Sequence, residues 1–184
     1  GSLKARVCVE GRKRLYAYLR ERGLPHKACG KLIVATSAAQ KPALETIMAR
    51  ANASGVDSLR WLDAGEAKAM EPEVRCEIAL LSPDTGVVDS HAFMLSLLGE
   101  CEAAGGALAL NTPIAGWHRE ADGFSVDFGG DEPATYSVKT IVNSAGHGAP
   151  RLLTTLDGFP AEHIPKQSFA KGNYFALLGK QPFS

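Results

Sequence analysis

The strongest constraint on this chain sits at residues 140–149, TIVNSAGHGA, where a β-branched run passes directly into small residues and then into a helix start. Such a segment is expected to fold as strand, tight turn and helix, and its small side chains let another group approach the backbone closely. Free N–H groups at the start of a helix favour an anion there. Taken alone, the pattern fits a nucleotide-binding wall and an ordinary strand-turn-helix corner about equally well. The rest of the chain decides between them.

The chain has 184 residues, 45% of them apolar, enough to supply a sizeable core. Twenty basic and twenty acidic side chains cancel without forming a basic stripe, which argues against a nucleic-acid surface or a polybasic membrane patch. The expected partner is a small molecule. Cys8, Cys29, Cys76 and Cys101 are scattered, with no CxxC pair and no nearby histidine ligands, so no metal site is expected. Reduced thiols of this kind suggest a cytoplasmic protein. No apolar run is long enough to span a bilayer.

Along the chain, Leu3, Val7, Leu15, Tyr18 and Leu19 recur at helical spacing until Gly23 and Pro25 stop the pattern. Residues 29–36 (CGKLIVAT) read as a buried strand, followed by a helix with Leu44, Ile47, Met48 and Ala51 on one face. A strand is expected at 58–62, and Asp63 with Glu66 forms a capping box that starts a short helix ending before Pro72. Residues 78–81 form a strand closing on the turn Ser-Pro-Asp-Thr-Gly at 82–86, after which Asp89 or Ser90 caps a helix ending at Gly105 and Gly106. Strands are expected at 107–110, 114–119, 124–128 and 136–142, then a helix at 149–156 and a last strand at 169–178. Composition alone gives a mixed α/β (α+β) unit.

The order of these pieces carries more information than any one of them. A "TG-V-D" turn, a capped helix, Gly-Gly-Ala, a strand opening on Asn-Thr-Pro-Ile, a hairpin and a "VN-AG" segment resemble the middle of the D-amino-acid oxidase superfamily of FAD enzymes. Within it, residues 1–11 (GSLKARVCVEG), 29–36, 82–91 (SPDTGVVDSH) and 171–175 (KGNYF) resemble the L-2-hydroxyglutarate dehydrogenase family, across nearly the whole chain. The fold so implied is D-amino-acid-oxidase-like: part of a Rossmann-like FAD domain interleaved with an antiparallel-sheet substrate domain. Residues 1–81 fall mainly to the substrate domain, 82–158 mainly to the FAD domain, and 159–184 to the substrate-domain sheet again.

The implied reaction is oxidation of a 2-hydroxy acid to the 2-oxo acid by hydride transfer to FAD, with electrons passing to a quinone or another acceptor. This leaves room for peripheral contact at the inner face of a membrane. The GxGxxG strand, the acidic ribose-binding residue, a His-containing segment and the C-terminal strands of the family are not among these residues. The chain is therefore expected to be an internal fragment, inactive alone, whose catalytic base lies upstream.

The resemblance also assigns residues. Ile114 falls where the backbone meets adenine, and Ser144, Ala145 and Gly146 where backbone lies along the dinucleotide. His147 follows them, in a role read as positional rather than chemical. Lys171 and Tyr174 fall where relatives place a cation and an aromatic facing the flavin, suited to a substrate carboxylate and a hydrogen bond. A solvated lysine and a core tyrosine are equally compatible with the residues themselves. Three apart on a strand they point to opposite faces, so a shared site needs a bulge at Gly172. Ser2 and Lys4 resemble residues near the family's active site, while the residues alone read as a helix N-cap and a solvated lysine. His26, His91, His118 and His163 read as solvated. Two alternatives stand beside this reading: an amine or amino-acid oxidase of the same superfamily, and a non-catalytic binding module.

Overall fold

In the computed structural model, residues 2–180 and 182–183 are described. Gly1, Gln181 and Ser184, which belong to the expected ranges 1–81 and 159–184, lie outside them. The chain divides into two compact units, Gly1–Gly106 with Ala176–Ser184, and Ala107–Phe175.

The first unit opens on α1 (Leu3–Glu21), whose N-cap Ser2 accepts a hydrogen bond from the Ala5 amide at 3.2 Å. Strand β1 (His26–Lys27) pairs antiparallel with β5 (Val87–Val88). Strands β2 (Lys31–Ala35), β3 (Arg60–Asp63) and β4 (Ile78–Ser82) form an antiparallel sheet in the order β2-β4-β3.

The central strand β4 is apolar at successive positions because both of its faces are covered. Leu80 packs with Ala35 and with Leu44 of α2 (Lys41–Ala53) on one face. Ala79 and Leu81 pack with Leu62 and with Ala67 of α3 (Ala64–Met70) on the other. The expected capping box is present at α3: the Glu66 amide donates to Asp63 Oδ1 at 2.8 Å, and the Asp63 amide donates to Glu66 Oε2 at 2.9 Å. Asp89, not Ser90, caps α4 (Ser90–Ala103) by accepting from the amides of His91 and Ala92.

The second unit is a meander of β6 (Ile114–Glu120), β7 (Gly123–Phe128) and β8 (Ala134–Val138), followed by α5 (Ala149–Leu153). Trp117 and Val126 face each other in register and are both buried. The Trp117 indole N–H donates to the Leu152 carbonyl at 3.1 Å, and a parallel bridge joins Trp117 to Leu156, so the helix lies against the meander.

Four expectations need correction. Residues 107–110 and 169–178 form no strand, the strand expected at 136–142 ends at Val138, and the helix expected at 149–156 ends at Leu153 in a turn. In the first three cases the β pattern is present but no neighbouring strand pairs with it, and a strand exists only through its ladder. The wall at 140–146 is therefore irregular chain running into a 3-10 turn (Gly146–Gly148) and α5, rather than strand into turn. The fold is mixed α/β, with every named strand pair antiparallel.

Candidate functional site

In the second unit, the first residues of β6 and the turn before α5 line one hollow of about 530 Å³. Pro113, Ile114 and Ala115 form one side; Ala145, Gly148, Arg151, Leu152 and Thr155 form the other. The fold thus brings together Ile114 and Ala145, two expected cofactor contacts 31 positions apart by numbering. Gly148, Arg151, Leu152 and Thr155 were not anticipated. Arg151 and Leu152 lie on α5, while Gly148 and Thr155 flank it in the turns at its two ends.

Ser144, Gly146 and His147 sit beside the hollow, exposed, without lining it. Gly146 takes a left-handed φ of 54°, and nothing lies within 4 Å of where its Cβ would project. The lining of the hollow itself is mostly apolar, with the Thr155 hydroxyl and the Arg151 guanidinium as its polar side chains. That donor set suits a flat ring joined to an anionic group, and so fits a dinucleotide.

The turn is held from both directions. Asn143 Nδ2 donates to the Ala149 carbonyl at 2.9 Å, and the Ala145 amide donates to Asn143 Oδ1 at 3.3 Å. Downstream, Gln167 Nε2 donates to the His147 carbonyl at 2.9 Å, and the His147 ring meets Phe169 edge-on at 5.4 Å between centroids. These contacts fasten the chain leading to Lys171 onto the turn. Lys171 and Tyr174 are exposed and have no hydrogen-bond partner among the described residues.

The first unit has a hollow of similar size, about 530 Å³, between α1 and residues 82–88. Its anchor is Asp84, which accepts from the Ser58 hydroxyl at 2.6 Å and pairs with Arg12 at 2.6 Å. The Ser58 hydrogen bond, with Arg12 beside it, holds the Asp84 carboxyl below the usual carboxylate range, against the opposing effect of partial burial. Tyr16 donates to the Asp84 carbonyl at 3.3 Å, and a Cβ on Gly86 would collide with the Tyr16 hydroxyl and the Lys27 carbonyl. Only glycine fits that turn. Lys4 lies exposed in the first turn of α1, away from the residues lining this hollow.

Of the other histidines, His118 meets Asp127 at 3.2 Å on the exposed meander, where Thr135 also donates to Asp127 at 2.7 Å. This is a surface chain across three strands. Among the described residues no cluster of His, Cys, Asp or Glu is arranged to hold a metal ion, and no helix is long and apolar enough to cross a membrane.

Comparison with known proteins agrees with this architecture. The family model described as FAD dependent oxidoreductase matches residues 1–183. The chain is 36% identical to a mitochondrial L-2-hydroxyglutarate dehydrogenase of Arabidopsis thaliana, over 97% of this chain and 43% of that protein. It is 36% identical to the human protein of the same name, over 62% of this chain and 25% of that one. An Escherichia coli L-2-hydroxyglutarate dehydrogenase is 27% identical over 96% of this chain and 40% of its own length. The chain spans about two fifths of the plant and bacterial relatives.

Among solved structures, L-proline dehydrogenase from P. horikoshii matches with a TM-score of 0.71 at 18% identity, covering 82% of this chain and 40% of that one. L-α-glycerophosphate oxidase from Mycoplasma pneumoniae, with FAD bound, gives 0.71 at 24% identity, covering 84% and 42%. At such identities the likeness is one of fold. The resemblance read from the sequence is thus borne out. The cytoplasmic location is not: the plant, human and mouse relatives are named mitochondrial. Scattered, unpaired cysteines do not distinguish one compartment from another.

Proposed function

The chain belongs to the family of FAD-dependent oxidoreductases, and from that premise we propose that it is part of an enzyme oxidising a 2-hydroxy acid, L-2-hydroxyglutarate foremost, to the 2-oxo acid. The observation that carries this reading is the meeting of Ile114 and Ala145 in one hollow, in a chain similar to L-2-hydroxyglutarate dehydrogenases over nearly its whole length. Bound FAD would supply the acceptor for the hydride leaving the carbinol carbon.

The chain's own residues bind and orient. Ile114 and Pro113 offer an apolar edge to the adenine, and Ser144, Ala145 and Gly146 let the dinucleotide run along bare backbone. The Arg151 guanidinium, on the same wall, is suited to an anionic oxygen. His147 acts through position, joining the turn to the segment that carries Lys171 and Tyr174. In this reading Lys171 pairs with a substrate carboxylate and Tyr174 hydrogen-bonds the substrate. Residues 1–81 and 159–184 serve mainly the substrate domain and 82–158 mainly the FAD domain. The hydroxyl proton goes to a base outside these residues, and the electrons pass on to a quinone or another acceptor.

The test is turnover by the full-length product of the gene encoding this chain, offered L-2-hydroxyglutarate, glycine and sarcosine in turn with a dye acceptor. Stoichiometric flavin absorbance and a higher kcat/KM on the hydroxy acid are expected. Preference for an amine would replace the substrate class with that of the amine oxidases, and protein without flavin or turnover would favour a binding module.

A further inference from the structure

The turn at 144–146 has almost nothing with which to hold itself, since its side chains are a hydroxymethyl, a methyl and a hydrogen. Its shape must be imposed by a neighbour. Asn143, half-buried, does so with both ends of one planar amide: Nδ2 donates to the Ala149 carbonyl, and Oδ1 accepts from the Ala145 amide. The first bond ties residue 143 to the start of α5 and closes the loop of residues 144–148; the second sets the direction of the peptide that carries Ala145 into the hollow. Among the described residues no other side chain hydrogen-bonds to the backbone of 144–146.

We propose that Asn143 is a positioning residue for the cofactor wall, acting through Ala145 and without touching the ligand; this rests on the reading of the wall as a dinucleotide site. Asparagine is suited because the turn needs a donor and an acceptor at fixed separation on a short arm. Aspartate keeps the size and the acceptor but turns a second oxygen toward the Ala149 carbonyl, where two acceptors repel. Alanine removes both bonds. Glutamine keeps both groups on an arm one methylene too long.

The ligand end of the effect is specific. With Ala145 free to rotate, the wall opposite Ile114 loses its fixed spacing, while the pairing of Trp117 with α5 is untouched. Preorganisation is lost and the fold is kept.

The experiment titrates FAD into the deflavinated full-length protein, following quenching of flavin fluorescence, and records thermal unfolding of each apoprotein. Asn143→Asp and Asn143→Ala are expected to raise the FAD Kd about tenfold, with Asn143→Gln between them and wild type, while apoprotein melting changes little. Unchanged Kd in the isosteric Asp variant, beside a wild type that binds FAD, overturns the role of Asn143 alone. A weaker Kd matched by an equal loss of apoprotein stability also overturns it, since Asn143 would then be structural. Wild-type protein with no affinity for FAD overturns the dinucleotide reading together with this one.

Discussion

The two compact units are held together by different means. In the unit containing β4, apolar contacts dominate: Leu80 is sealed on one face of the sheet and Ala79 and Leu81 on the other. In the unit containing β6–β8, Trp117 and Val126 are the buried core among the described residues. Directed bonds from side chains to backbone set much of the remaining geometry, through Trp117 to Leu152, Asn143 to Ala149 and Gln167 to His147. The candidate wall belongs to the second kind. A surface that must stay bare for a ligand cannot also be packed, so its shape has to come from hydrogen bonds at its margins rather than from a core beneath it.

The largest test of that contrast is Trp117→Ala. It removes a buried ring and the indole bond that holds α5, and should cost about 3–5 kcal/mol. Amide exchange should show the loss in β6, β7 and α5 while β2–β4 keep their protection. Exchange that rises equally in both units would break the distinction between them.

Leu80→Ala should come next, at about 2–5 kcal/mol, because Leu80 is 0% exposed and the leucine, isoleucine and methionine side chains around it leave little room to collapse. Here urea unfolding should lose midpoint without a change of slope, and flavin affinity of the full-length protein should fall less than in the Asn143 variants. An affinity loss larger than theirs would mean that the wall depends on the packed core after all.

What could be read from the sequence follows the same division. The Asp63–Glu66 box and the caps at Ser2 and Asp89 were legible because both partners lie within three residues. The meander was legible because Phe124, Val126 and Phe128 alternate and turn residues separate the strands. Residues 107–110, 140–142 and 169–178 carry equally good β patterns but have no ladder. A pattern reports the capacity to pair, and pairing also needs a neighbour. The converse holds at His26 and Lys27, whose partners Val88 and Val87 are some 60 positions away and leave no local trace. At the site, the small residues at 144–146 are conspicuous in the sequence, whereas the part played by Asn143 is not, because its bonds to Ala145 and Ala149 exist only once the turn is folded.

The smallest expected effect probes a polar clamp inside the well-packed unit. Asp84 is bound by Ser58 and Arg12, and its carboxyl is held below the ordinary value of 3.8. Because the folded-state pKa is the lower one, the ionised carboxylate stabilises the fold above pH 3.8, and that stability drains away as the pH falls through the lower folded value. Asp84→Asn should therefore be less stable than wild type near neutrality, by about 1 kcal/mol or less since both charges of the ion pair are roughly one-third exposed. The two proteins should converge once the pH is well below the carboxylate range. Urea midpoints measured from pH 7 down to about pH 2.5 would show that convergence. A gap that stays constant with pH would mean that the amide variant loses shape complementarity at the turn and not charge, and the unit would then owe even this corner to packing.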